Sequence, residues 1–423
     1  MSKVEIISLK ENIVEKTGDI LLGSSDISKN LAVFPNRRPG YFLNLYLYEK
    51  KGKPFPAPAV LSMDSFVDWA FEKLNGGETC KGANELDLTA FLYRDFADYS
   101  RKITGIKPEN FSLDFFMPWA RKIISDFEEL KINGLKEAEI KDFDFLIKDF
   151  AEKESDWLKD LAGFRDKYSR FSALYGKFYE KCLSERIYTR AMKYEFLAGK
   201  LGELDFGEFE NVVFAGFFAL TGSEQKIFQR MHKLKNSFFL YYNSPLLEGK
   251  LPFAAKIPPC ESRAEATEIH IGKTAGPHEE IMELKKALLK SAEKKGEKFS
   301  LDRESAVVLP DSHMILPLTE NALYDFEKFN VSAGYPLEMT PVYSMAEALF
   351  ALLDGAAGPG KNRYSAADYM AFVMHPYVKN VKTGVSASLN GSYAGPNSFE
   401  ASAKKNGSSV TNNSYAGPNS FEA

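Results

Sequence analysis

Cysteine is nearly absent. The three residues, Cys80, Cys182 and Cys260, lie far apart in a chain of 423 with no CxxC pair, which excludes a disulfide framework and a thiolate zinc site. The same scarcity fits a reducing compartment, so a cytoplasmic location is expected. Histidine is almost as rare: His232, His270, His278, His313 and His375 show neither HExxH nor any paired spacing, and no GxSxG occurs. Zinc hydrolysis and triad chemistry therefore have no footing, and no cofactor is expected. No apolar run approaches the ~18 residues of a membrane span. The opening MSKVEIISLKENIVEK lacks the apolar centre of a signal peptide, so no membrane partner is expected. Neither sign of charge dominates, with 54 Lys+Arg against 58 Asp+Glu and a net charge of -4. Nucleic-acid contact would have to come from a local cationic patch.

What the chain does have is α/β texture, over a length sufficient for two or three domains. Asn211 to Met231, NVVFAGFFALTGSEQKIFQRM, reads as a buried strand, a tight turn at Gly216 and a helix. Val212, Val213 and Phe214 form the continuous apolar run of a strand covered on both faces. Thr221 with Glu224 has capping-box spacing ahead of Ile227, Phe228 and Met231. Ligands in such sheets bind at the carboxyl ends of the strands. This strand ends in Ala215-Gly216-Phe217, without the acid that a nucleotide hydrolase needs to hold magnesium.

Leu31-Ala32-Val33-Phe34 is a second apolar strand, ending in Pro35-Asn36-Arg37-Arg38-Pro39-Gly40 before a helical stretch that places Phe42, Leu45 and Tyr46 on one side. The two arginines fall at the strand-to-helix junction. Two fixed cations beside free backbone donors suit a phosphate; ordinary solvated loop charge is the alternative. Ala59-Val60-Leu61 begins another strand and helix, capped by Ser62 or Asp64, with Phe66, Trp69, Ala70 and Leu74 as its apolar members. From Glu85 to Leu201 helical periodicity dominates. Leu88, Phe91, Leu92 and Phe96 share one face; Trp119, Ile123, Phe127 and Leu130 another; Phe171, Leu174, Phe178 and Cys182 a third. This aromatic stripe reads as core rather than as a platform for bases. Ser237 to Tyr242 is a further strand, and the Pro-rich 251–259 is a candidate boundary. Beyond it, strands near Glu268 to Ile271 and Ala306 to Leu309, a helix from Glu279 to Ala292 and a segment Phe329 to Ser332 suggest a second α/β unit. From about Asn380 the chain turns to Ser, Asn, Gly and Ala, with SYAGPNSFEA at 392–401 and again at 414–423, a composition expected to be disordered.

Two near-matches to a phosphate-binding loop fall short. Gly272-Lys273-Thr274 lacks the first glycine, since Thr267 stands there. Gly355 to Lys361 has the spacing, but Asn362 replaces the magnesium-binding hydroxyl. The acid and lysine pairs at Asp142 to Lys148 and Glu283 to Lys285 lie in helical contexts, so a nuclease centre is not evident.

LAVFPNRRPGYFLNLYL, FFMPWARKIISDFEEL, YTRAMKYEFLAGKL, VVFAGFFALTGSEQKIF, SAVVLPDSHMILPLTENAL, VSAGYPLEMTPVYSMAEALF and YMAFVMHPYVK, in that order over roughly residues 30 to 380, resemble the N-terminal, helicase-like region of AddB-type proteins in the bacterial PD-(D/E)XK nuclease family. The resemblance implies a superfamily 1 helicase fold, often without working ATPase motifs: α/β, two RecA-like (P-loop NTPase-like) parallel-sheet lobes with a large helical insertion in the first. Residues 1–84 and 202–258 would form the first lobe, 85–201 the insertion, 259–379 an incomplete second lobe and 380–423 a disordered tail. It also implies DNA-end processing for recombinational repair, with Asn36, Arg37 and Arg38 as nucleic-acid-binding residues. DNA, single-stranded or as duplex ends, and a helicase or nuclease subunit are the implied partners. The family's nuclease domain would follow His375-Pro376-Tyr377, where the repetitive tail stands instead, so the chain is expected to be truncated and without nuclease activity. A non-catalytic scaffold is the expectation; a degenerate ATPase using Lys273 or Lys361, or a protein-interaction module, are the alternatives. The Phe34 and Phe214 runs should be neighbouring central strands of one sheet.

Overall fold

The apolar runs become strands where helices cover both of their faces. In the computed structural model, which describes residues 2–76, 81–141, 161–244, 247, 251–252, 269–294, 305–326, 329–355 and 364–381 (161–166 through the backbone alone), the strands are β1 (Lys3–Ile7), β2 (Asn30–Phe34), β3 (Ala59–Ser62), β4 (Lys81–Gly82), β5 (Ile187–Tyr188), β6 (Asn211–Ala215) and β7 (Ser237–Tyr242). The chain divides into two units, Met1–Ala266 and Thr267–Ala423.

The first unit holds a five-stranded sheet in the order β1-β7-β6-β2-β3, with every neighbouring pair parallel. Val33 lies opposite Phe214, so the two apolar runs are adjacent interior strands, as expected. Side chains alternate across the pleat. Ala32, Phe34, Val213 and Ala215 meet Ile13 and Leu21 of α1 (Ile13–Leu22) and Leu43 and Leu47 of α2 (Arg38–Lys51). Leu31, Val33, Val212 and Phe214 meet Phe66 and Ala70 of α3 (Met63–Leu74), together with Tyr194, Leu197, Ile227 and Phe228 from the helices Arg190–Lys200 and Gly222–Met231. Connections running β1 to β2 to β3 use one layer of helices, and those returning through β6 to β7 use the other. Right-handed crossovers require this change of layer when the direction of travel reverses. The reversal puts the topological switch point between β2 and β6.

The described residues from Lys81 to Tyr188 form the helical insertion. Its own core joins Leu88, Leu92, Phe116, Ile123, Phe127, Leu174, Phe178 and Cys182, and β4 pairs with β5 at its base, Lys81 opposite Ile187 and Gly82 opposite Tyr188. Burial pushes the Cys182 thiol up to about 12. Glu128 ties the insertion to the helix Arg190–Lys200, accepting from the Tyr179 hydroxyl and the Ala191 N–H at 2.9 Å each. Asp64 of α3 ties that helix to the sheet layer, with its Oδ1 2.7 Å from Arg190 Nε and 2.6 Å from the Tyr194 hydroxyl.

Several expectations need correction. The buried face of α2 is Gly40, Leu43 and Leu47, whereas Phe42 is 46% exposed and Leu45 and Tyr46 are half-buried. A 3.6-residue period accommodates either stripe, and contact with α1 and the sheet selects the one whose glycine allows close approach. Trp119 likewise turns outward. β1 and α1 were not anticipated: β1 buries only Ile7, the sparse pattern of an edge strand.

In the second unit, Ile281 of the helix Pro277–Lys294 packs on Met314, Leu318, Ala322, Leu323 and Phe326. The second parallel sheet is not formed among the described residues 267–423. Ile269, Ile271 and Val308, placed in strands by their pattern, are 76%, 93% and 89% exposed, and the stretch around Phe329 to Ser332 is exposed without strand pairing. Apolar alternation nominates a strand, but only a partner's N–H and C=O groups make one. Cys80, Cys260, the stretch 142–148, most of the Pro-rich 251–259, Glu268, residues 356–361 and the tail from 382 lie outside the described residues.

Candidate nucleic-acid interface

The chain leaves β2 at Phe34, 1% exposed, and is at the surface one residue later. Pro35, Asn36, Arg37 and Arg38 are all exposed, and α2 starts at Arg38. The Arg37 and Arg38 side chains form no ion pair or hydrogen bond with another described residue. Two of the backbone donors expected to be free here, the Arg38 and Gly40 N–H groups, are in use. Asn36 Oδ1 accepts from the Arg38 N–H at 3.2 Å, Pro39 has no N–H, and the Gly40 N–H donates to the Arg37 carbonyl at 3.2 Å. Attraction for an anion thus rests mainly on the guanidinium groups, with most of the helix terminus already bonded. Asn36 closes a local turn ahead of Arg37, the N-cap of α2, and keeps its amide NH2 as a donor.

Beside this turn is a cleft of about 250 Å³ lined by Asn36, Arg37, Gly40, Tyr41, Asn44, Val60, Leu61, Ser62 and Ser65. It lies between the carboxyl ends of β2 and β3, under the first turns of α2 and α3. Gly40 shapes it: a Cβ there would sit 2.8 Å from Val60 Cγ1, so a larger residue would lift α2 off β3. Ser62 caps α3 by accepting from the Ser65 N–H at 3.2 Å, and the two hydroxyls are 2.9 Å apart. The cleft is smaller than the ~300–1,000 Å³ of sites that engulf a small ligand, a size suited to part of a polymer rather than a whole cofactor. Sequence reasoning placed Asn36, Arg37 and Arg38 here but missed Tyr41, Asn44 and Ser65. The available signal was helical spacing, since 37, 41 and 44 fall on one edge of α2.

The other side of the switch point carries a buried aromatic residue, Phe217. Gly216, at φ +79°, turns the chain sharply, and Phe217 folds back until its ring centroid is 4.9 Å from that of Phe228. No acid follows β6. Thr221 and Glu224 form the expected capping box. Gly272 and Lys273 are exposed and Thr274 half-buried, and the described residues just before them, 269–271, form no strand, whereas a phosphate loop hangs between a strand and its helix. Among the described residues, no three His, Cys, Asp or Glu side chains are placed to hold a metal ion, and no helix is long and apolar enough to cross a membrane.

No protein-family model matches the chain, and no curated protein matches it significantly.

Proposed function

We propose that this chain is a non-catalytic, helicase-like DNA-binding scaffold of the AddB kind, serving DNA repair by recombination. In this reading the first unit corresponds to the first RecA-like lobe with its helical insertion, and the second unit takes the place of the second lobe. The chain holds a single strand or a duplex end beside a helicase or nuclease subunit that supplies the catalysis. The parallel, doubly wound sheet supports this, as does the Ala215-Gly216-Phe217 ending of β6, which offers nothing to a magnesium nucleotide.

One observation carries the proposal: two adjacent, exposed arginines without a counter-charge among the described residues, the first of them lining a cleft at the carboxyl end of an interior strand. Each phosphate contact contributes roughly 0.7 to the slope of log affinity against log salt for a single strand. Mobility shifts of single-stranded DNA across a salt series should therefore show the slope of Arg37→Ala plus Arg38→Ala fall by about 1.4. Binding identical to wild type would remove both residues from the interface. DNA-stimulated ATP hydrolysis abolished by Lys273→Ala would replace the scaffold with a motor.

A further inference from the structure

The tyrosines of α2 fall into two groups. Tyr46 is committed to the fold: its hydroxyl donates to Asp19 Oδ1 at 2.7 Å, and its ring lies against Gly18, where a Cβ would come within 2.5 Å of Cδ1. The Lys50 ammonium stands 5.2 Å from the centre of that ring. Tyr41 and Tyr48 are 69% and 56% exposed, and Phe42 meets Tyr41 edge-on at 5.5 Å. These rings contribute little to the core and leave their faces open to a ligand.

Tyr41 and Tyr48 are seven residues, two helical turns, apart. They therefore share one face and stand roughly 10 Å apart along the axis. Cations flank the row at both ends, Arg37 and Arg38 ahead of it and the exposed Lys51 and Lys53 behind it, while Glu49 is the one acid in the helix. Tyr41 also lines the cleft that Arg37 opens. A line of π-faces bordered by positive charge complements a polyanion whose bases are free, since base–aromatic stacking combined with a cationic track is how single strands are held without sequence preference. A duplex keeps its base faces stacked on one another and offers none to a ring.

We infer that the outer face of α2 is a stacking platform for a single nucleic-acid strand, with Tyr41 and Tyr48 each receiving a base while Arg37 and Arg38 hold the backbone. This rests on the proposed function and adds to it the recognition of bases and the preference for single strands. The spacing of the rings exceeds the ~3.4 Å step of stacked bases, so they take bases that are not neighbours, and the strand runs extended along the helix. Asn44, between the rings and within the cleft, faces the same strand.

The test is fluorescence anisotropy of the full chain with a labelled oligo-dT and with an abasic oligomer of equal length and charge, at low and moderate salt. Wild type should bind oligo-dT more tightly than the abasic strand by a factor on the order of 30, the lower bound for stacking two bases. Tyr41→Ala plus Tyr48→Ala should remove that preference and leave the salt slope unchanged, whereas Tyr41→Phe plus Tyr48→Phe should keep it. The arginine pair should show the converse, a shallower slope with the preference retained. Equal wild-type affinity for the two strands, or an alanine pair that binds oligo-dT as wild type does, overturns the platform and leaves the phosphate contacts standing. Failure of wild type to bind either strand at low salt overturns both.

Discussion

β2 and β6 are neighbours in one sheet, run parallel, are buried along almost their whole lengths and each lead into a helix. Their ends are nevertheless opposite in character. β6 ends in an aromatic cluster: Phe214 lies 4.9 Å from Phe228, 5.4 Å from Phe239 and 5.5 Å from Phe66 between ring centroids, and a reciprocal capping box comes after it. β2 ends in solvent, with two unneutralised guanidinium groups and a cleft. The interior of the sheet demands only apolar bulk. The turn beyond each strand is free to serve stability, as after β6, or to stay open at the surface, as after β2, where the proposed function puts recognition.

That division makes graded expectations for urea unfolding. Phe214→Ala should cost most, about 3–5 kcal/mol, because it empties the centre of the aromatic cluster. Gly40→Ala should cost about 1–3 kcal/mol through its clash with Val60. Gly216→Ala should cost about 1–2 kcal/mol, as a Cβ is strained at φ +79°. Thr221→Ala should cost about 1 kcal/mol and remove a bond in each direction. Asn36→Ala should cost less, about 0.5 kcal/mol, because it removes a single exposed bond. Smallest of all, Arg37→Ala plus Arg38→Ala should leave stability within about 0.5 kcal/mol of wild type. If the arginine pair proved as costly as Thr221→Ala, the β2 end would be holding the fold together and the contrast between the two ends would fail.

Much of the first unit is written plainly in its sequence. Leu31 to Phe34, Val212 to Phe214 and Ser237 to Tyr242 are continuous apolar runs because both their faces are covered, and the Thr221–Glu224 spacing is a local rule that needs no tertiary context. β1 was illegible for the opposite reason: at the sheet edge it buries one residue, and Lys3 and Glu5 dilute the signal. The orientation of α2 was underdetermined, since 42/45/46 and 43/47 both satisfy a helical period and only Gly40 against Val60 decides between them. The bond from the Arg38 N–H to Asn36 Oδ1 was not legible, because it depends on the course of the turn. In the second unit, Ile269–Ile271 and Ala306–Leu309 carry strand composition, but pairing is a property of two segments and no single segment encodes it.

The short pairing of β4 with β5 places Gly82 beside Tyr188, so the whole helical excursion starts and finishes at one spot on the sheet's helical layer. Closing a long loop costs only slightly more than closing a short one. The length of the excursion is therefore a weak lever on stability, and what binds it to the sheet layer is side-chain contact, Ile132 in the core and Asn133 on the Gly222 N–H.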